Sequence, residues 1–216
     1  MSNPYRDEAH RRMREAALDA AAEDVLARGW RGLQMRTVAT RTGVSRQTLY
    51  KAFGDKHGLS QALVLRHAHR LLEQVGDAVA GCATLRERWA AAVQTTLAAA
   101  EDDPLVKAVL LSDSSDEFLP LITTRGAPVL DLARRGLTAL VLRHHPDLDT
   151  VRVEVAADAA TRMTLSHLVL PQQPVETTAA EIAEIATLYL ELTASTRPDP
   201  GDDVTGAHPA EGGEGS

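Results

Sequence analysis

The sequence is poor in the features that mark secreted, metal-binding and membrane proteins. Cys82 is the only cysteine, which excludes an internal disulfide framework and a zinc site built from several thiolates. No run approaches the roughly 20 apolar residues that cross a bilayer, and the first residues are polar rather than a secretion signal. These absences predict a soluble, cytoplasmic protein without a membrane partner, in which Cys82 is a buried and unreactive thiol.

The residues that are present indicate a folded chain whose charge is divided unevenly. Its 216 residues, 44% of them apolar, are enough to bury a sizeable core. The net charge is −7, but residues 1–70 hold 13 basic and 7 acidic residues (+6), whereas residues 71–216 hold 10 and 23 (−13). A basic segment joined to an acidic body is typical of a nucleic-acid-binding module, although a solvated charged face is the commoner cause of an arginine run.

Apolar residues recur at helical spacing along most of the chain, and no strand pattern intervenes. A first helix should run from Tyr5 to Arg28 and end at Gly29. Further helices are predicted over 35–42, 45–53, 55–80, 85–100, 104–111, 127–144, 149–170 and 177–195, which makes the fold class all-α with about nine helices. The last two helices are apolar over more than one face and must be buried on both sides. Residues 197–216 are predicted to be a disordered tail.

Residues 34–53 read as two short helices joined by a tight turn at Gly43, where a positive φ would let the helices cross steeply. The apolar residues available to hold the crossing are Val38, Ala39, Val44, Leu49 and Phe53. The side chains left to project outward are Arg46, Gln47, Thr48, Tyr50 and Lys51. Arginine and glutamine can pair with purine edges, threonine can touch a thymine methyl, and tyrosine and lysine can reach phosphates. The pattern therefore predicts a DNA-binding helix-turn-helix.

Residues of about 10–65 resemble the DNA-binding pattern of the TetR family of bacterial transcriptional regulators. The shared residues occur in order and without gaps: Gly29-Trp30, Val38-Ala39, Gly43-Val44-Ser45, Thr48-Leu49-Tyr50, Phe53, Asp55-Lys56 and Leu59. Past residue 80 the resemblance is one of helical architecture only. It implies a three-helix DNA-binding domain at 1–56 and a helical effector-binding and dimerisation domain at 57–196. The implied function is a homodimeric repressor of double-stranded operator DNA that a small molecule releases.

The resemblance also implies roles for individual residues. The helix from Ser45 to Phe53 becomes the recognition helix, and Lys56 matches a lysine that commonly meets a phosphate. The chain departs from the family at Leu33 and Gln34, where threonine or serine is common; glutamine caps a helix poorly, so Gln34 and Arg36 are candidates for the missing phosphate contact. The residues suggested for the effector pocket are Trp89, Phe118, Met163 and His167. A body with few aromatic residues and many Ala, Leu and Val favours an apolar effector.

Two other functions remain compatible with the sequence. A TetR-like scaffold that acts through protein partners would explain the helices but would leave the outward polar residues of the second short helix as coincidence. A helical enzyme has no supporting constellation, because the Ser112–Glu117 cluster has no paired histidine and is expected to be a loop. The histidines at 67, 69, 144 and 145 are expected at the surface rather than on a metal, and His167 is expected to be a hydrogen-bonded core residue or a ligand contact. No cofactor is implied.

Overall fold

The computed structural model describes residues 4–110 and 127–195, which form nine α-helices and no strand within these ranges. The helices are α1 (Pro4–Gly32), α2 (Met35–Thr42), α3 (Arg46–Phe53), α4 (Lys56–Ala80), α5 (Leu85–Asp102), α6 (Pro104–Leu110), α7 (Ala127–His144), α8 (Thr150–Val169) and α9 (Val175–Ser195). The predicted all-α fold is confirmed. The predicted tail, the Ser112–Glu117 loop and Phe118 lie outside the described residues. None of the described helices is long and apolar enough to span a membrane.

Local side-chain caps and glycines explain where the first helices begin and end. Ser45 accepts a hydrogen bond from the Thr48 amide at 3.0 Å, and Asp55 accepts one from the Gly58 amide at 2.8 Å, as expected of N-cap residues. Gly43 has a φ of 68° and ends α2 in the left-handed conformation. Gly29 also has a positive φ, of 67°, and its non-helical backbone interrupts α1 where the first helix was predicted to end; a further short turn then extends to Gly32.

The start of α5 is fixed by a reciprocal capping box. The Glu87 amide donates to the Thr84 hydroxyl at 3.2 Å, while the Glu87 carboxylate accepts from the Thr84 and Ala83 amides at 3.0 and 2.8 Å. Hydrogen bonds from the Thr84 and Ala83 backbone hold the pKa of Glu87 below its ordinary value.

The N-terminal core joins α1, α2, α3 and the first turns of α4. Its fully or nearly fully buried members include Leu18, Ala21, Val25, Trp30, Leu33, Val38, Leu49, Leu59 and Leu63. Two interactions of Arg14 tie α1 to the end of α3: its guanidinium donates to the Ala52 carbonyl and lies 4.4 Å from the centre of the Phe53 ring. The orientation of α3 therefore depends on side chains from three neighbouring helices.

The body of the molecule has a second core, formed by α5, α7, α8 and α9 around the fully buried Trp89. The long helix α4 connects the two regions, because Leu59 and Leu63 belong to the N-terminal core whereas Val75 and Val79 pack against α5 and α7. Cys82 is only half-buried, in the turn between α4 and α5. The prediction of a buried thiol is therefore wrong, because this residue follows the last apolar turn of α4.

Candidate functional site

The outer face of α3 carries a continuous set of exposed polar side chains. Arg46, Gln47, Thr48, Tyr50 and Lys51 are all exposed. On the opposite face, Leu49 is 0% and Phe53 is 8% exposed. The predicted division of this helix into a buried and an outward face is confirmed. An exposed helix that bears arginine, glutamine and lysine in this arrangement has the shape and hydrogen-bonding groups that fit the major groove of DNA.

The other predicted DNA-contacting residues lie at the neighbouring helix ends. Gln34 is the N-cap of α2 but makes no side-chain capping bond, and both Gln34 and Arg36 are exposed. Lys56, the first residue of α4, is half-buried, and its ammonium group donates to the Arg31 carbonyl at 3.4 Å. The first turns of α2 and α4 thus flank α3, where backbone amides and basic side chains can meet phosphates.

Ion pairs between α1 and its neighbours hold this surface in place. Asp24, which is 0% exposed, pairs with Arg28 at 2.7 Å and with Arg41 of α2 at 3.0 Å. Arg66 of α4 pairs with Asp19 at 2.7 Å and with Glu15 at 3.2 Å. These arginines are engaged in structure, whereas Arg36, Arg46 and Lys51 form no ion pair with any described residue.

A cavity of about 220 Å³ lies between the N-terminal core and the body. Its wall is formed mainly by apolar side chains of α4, α5, α7 and α8, with Leu105 and Val106 from α6. Trp30 also lines the cavity, although it belongs to the N-terminal core. An occupant of the cavity would therefore touch both halves of the molecule.

The residues predicted for an effector pocket do not meet at this cavity. Trp89 is 0% exposed inside the body core, and Met163 packs against the same core. His167 is half-buried, and its Nδ1 has no hydrogen-bond partner among the described residues. None of the three is part of the cavity wall, because their positions on α5 and α8 face the body core or its edge. Their role in effector binding stays a prediction that this cavity does not support.

Sequence reasoning missed His67, which lies in the cavity wall. Its Nε2 is 3.0 Å from the Asp103 carboxylate. The expectation of surface histidines is confirmed for His69, which is exposed, and is wrong for His67, His144 and His145, which are half-buried. Arg88 Nε donates a hydrogen bond to His145 Nε2 at 3.3 Å. Burial, together with the positive charges of Arg88 and His144, lowers the pKa of His145. The helical stripe of α4 contained the relevant signal, since His67 lies one turn from Leu63 and from Leu71.

The last two helices leave a set of large apolar side chains uncovered. The exposed residues of α8 and its C-terminal cap are Val151, Val155, Val169 and Leu170, and those of α9 are Ile185, Leu188 and Leu192. Leu192 is 68% and Ile185 is 52% exposed. Apolar surface gathered on two adjacent helices is a common sign of a protein–protein contact.

Comparisons with known proteins match both halves of the chain to described protein families. Residues 17–63 match the family "Bacterial regulatory proteins, tetR family", and residues 84–187 match "Bacterial Tetracyclin repressor, C-terminal domain". The HTH-type transcriptional regulator AlkX of Mycobacterium tuberculosis is 30% identical over 189 residues, which cover 87% of this chain and 90% of that protein. The chain belongs to the TetR family.

Solved structures of TetR-family proteins share the fold described above. The repressor AlkX from a Dietzia species, implicated in the biodegradation of n-alkanes, has a TM-score of 0.70 and 26% identity, with 83% of this chain and 95% of that chain covered. The repressor QsdR of R. erythropolis has a TM-score of 0.61 and 19% identity over 83% of this chain and 94% of its own. TetR-family proteins are DNA-binding transcriptional regulators rather than enzymes, which rejects the enzyme alternative and disfavours a scaffold without DNA binding.

Proposed function

We propose that this TetR-family protein is a repressor that binds operator DNA as a twofold dimer and is released by a small apolar effector. The observation that carries the proposal is the outer face of α3, where five exposed polar side chains stand over the buried Leu49 and Phe53. This face packs on no other helix in the described part of the chain, so its polar side chains do not stabilise the fold. Direct readout of base edges would account for them.

The proposed DNA-binding domain comprises residues 1–56, and the proposed effector and dimerisation domain comprises residues 57–196. The separate cores of the two regions support this division. The long α4 begins beside the recognition helix and continues along the cavity, so that a displacement of α4 tilts the DNA-binding domain. In a twofold dimer, the two recognition helices need a spacing of roughly 34 to 36 Å or a multiple of it. An effector that favours another spacing lowers operator affinity without touching DNA.

The apolar effector is supported by the cavity and by a relative. Most of the side chains around the 220 Å³ cavity are aliphatic, and such walls favour hydrocarbon over charged ligands. The structurally similar Dietzia repressor is implicated in the biodegradation of n-alkanes. We therefore place the effector among small molecules with a hydrocarbon chain.

The homodimer is supported by the uncovered side chains of α8 and α9. A monomer would expose Val151, Leu170, Ile185 and Leu192 at 52% or more of their surface. Two copies related by a twofold axis can bury these side chains against each other, because a twofold interface uses the same patch on both subunits. The four helices would then pack as a bundle.

Fluorescence anisotropy with labelled DNA from the region flanking the gene tests DNA binding. We expect tight binding that weakens with salt, because basic side chains that neutralise DNA phosphates release the counterions of those phosphates. The logarithm of the affinity should fall by about 0.9 per phosphate contact for each unit of the logarithm of the salt concentration. Arg46→Ala and Lys51→Ala should each weaken binding. Arg143→Ala is the matched control, because this exposed arginine lies at the C-terminal end of α7, near the end of α4 that is remote from α3.

Binding that does not depend on salt, or equal affinities of the α3 variants and the Arg143 variant, would contradict the DNA-binding assignment. A folded dimer that binds none of the flanking DNA would favour the scaffold alternative instead. Release by an effector is tested separately, by titrating aliphatic compounds into the preformed complex.

A further inference from the structure

The cavity contains one polar side chain that is held in place by a second residue. Of its other polar side chains, Thr96 and Thr164 donate their hydroxyl groups to carbonyls of their own helices, at Ala92 and Ala160, both at 2.8 Å. These two hydroxyl protons are therefore already used. The other polar side chains of the described wall are His67, Thr161 and Trp30, and since an indole N–H can only donate, His67 and Thr161 are the ones that can accept a hydrogen bond from a ligand.

Asp103 determines which ring nitrogen of His67 carries the proton. One carboxylate oxygen of Asp103 accepts hydrogen bonds from the Leu105 and Val106 amides, at 2.7 and 3.2 Å, at the start of α6. The other oxygen lies 3.0 Å from His67 Nε2. A capping carboxylate is an acceptor, so Nε2 must carry the proton, and Nδ1 of the neutral ring then presents a lone pair.

The remaining nitrogen of His67 is available. No described group forms a hydrogen bond with His67 Nδ1, whereas Nδ1 of His69, two residues further along α4, lies 2.8 Å from the Leu65 carbonyl oxygen. An acceptor nitrogen on a side chain of this mainly apolar wall selects a ligand that can donate a hydrogen bond. A carboxylate ligand cannot donate, and its charge would be repelled by Asp103 behind the ring.

We propose that His67 Nδ1 accepts a hydrogen bond from the hydroxyl group of an aliphatic alcohol whose chain fills the cavity. The proposal deepens the proposed function, because it rests on this cavity being the effector site. Because the wall of the cavity is mainly aliphatic, the probe needs a hydrocarbon chain with one terminal hydroxyl group, and the primary alcohol 1-octanol has both.

The test compares four probes on the full-length protein at about pH 8. These are 1-octanol, its isomer 1-methoxyheptane, which accepts but cannot donate, nonane and octanoate. Binding is followed by tryptophan fluorescence, because Trp30 lines the cavity and Trp89, outside it, adds a constant background. Calorimetry confirms the affinities. We expect 1-octanol to bind about 2- to 10-fold more tightly than its isomer 1-methoxyheptane, the usual yield of one net hydrogen bond.

Two variants and two controls assign the effect to His67. His67→Leu should bring the affinity for 1-octanol down to that for the ether and leave nonane binding unchanged. His67→Gln, whose amide can both donate and accept, should bind the alcohol and the ether equally, and it serves if the leucine variant does not fold. His69→Leu, the matched control, and Thr161→Val, which removes the other hydroxyl, should keep the wild-type preference.

Equal wild-type affinities for 1-octanol and 1-methoxyheptane would overturn the proposal, as would no binding of any probe. Tightest binding of octanoate would show that His67 donates instead of accepting, and loss of the preference in Thr161→Val would move the contact to that residue. Either result also overturns the proposal. Operator release is measured separately: if 1-octanol binds in a His67-dependent manner without releasing DNA, the proposed switch fails while the His67 contact stands.

Discussion

Replacement of the buried Asp24 by asparagine is the sharpest test of how α1 holds the helix-turn-helix. The Asp24 carboxylate is 0% exposed and pairs with Arg28 at 2.7 Å and with Arg41 at 3.0 Å. Arg28 belongs to α1 itself, whereas Arg41 belongs to α2. The Asp24 carboxylate therefore forms an ion pair within α1 and also holds α2, the first helix of the helix-turn-helix, against α1.

The structure sets upper and lower limits on the expected loss. Surface ion pairs contribute about 0 to 1 kcal/mol, and a buried pair that loses one partner costs about 3 to 5 kcal/mol because a charge is left without solvent or counter-charge. Here the carboxylate is buried, but the side chains of Arg28 and Arg41 are 45% and 42% exposed. Both arginines can turn to water when the carboxylate is removed. We therefore expect Asp24→Asn to lower the free energy of unfolding by about 1 to 3 kcal/mol.

Urea unfolding of the full-length protein, followed by circular dichroism at one fixed protein concentration, measures this loss. Glu23→Gln is a matched control, because Glu23 also pairs with Arg41, at 3.1 Å, but its side chain is 71% exposed. The control should change stability by less than about 0.5 kcal/mol. A double-mutant cycle with Arg41→Gln isolates the contribution that joins α1 to α2. If Asp24→Asn were no more destabilising than Glu23→Gln, burial of the carboxylate would not strengthen the pair, and the reasoning would be refuted.

Three further predictions concern DNA recognition, assembly and pH. Gln47→Ala should relax operator preference at particular base pairs by about 1 to 3 kcal/mol, whereas Lys51→Ala should weaken binding to all sequences alike. Binding to a panel of single-base operator variants separates the two effects, and identical profiles for the two variants would count against base readout by Gln47. Glutamate at both Ile185 and Leu192, which are 52% and 68% exposed, should produce monomers by light scattering, and an unchanged molecular mass would exclude this interface. The α5 capping bonds lower the pKa of Glu87 below its ordinary value of 4.5. The contribution of Glu87 to folding stability is therefore present above that value and lost as pH falls through the lower folded-state pKa. Wild type and Glu87→Gln should differ in urea midpoint at neutral pH and converge in acid.

The helix-turn-helix could be predicted from the sequence because it depends on short-range rules. Ser45 and Asp55 cap the helices that follow them, and Gly43 takes the positive φ that the turn requires. These effects act within one helical turn. The period of apolar residues likewise determined which side of α3 is buried, since Leu49 and Phe53 lie one turn apart. Gly29 follows the same rule, since its positive φ interrupts α1 where the sequence predicts the end of the first helix.

The cavity was decided by tertiary structure alone. Trp30 and His67 reach it from helices whose sequence pattern indicates only an apolar face, while Trp89, equally large and on an equally regular helix, is buried in the body core. The period of apolar residues indicates that a side chain faces inward but not which neighbour it contacts there. The cavity could not be predicted because the helices that enclose it are distant in sequence. The pairing of His67 with Asp103 has the same origin, since it depends on how α4 crosses the start of α6. Local chemistry thus determined the helix-turn-helix, and the packing of helices against one another determined the cavity.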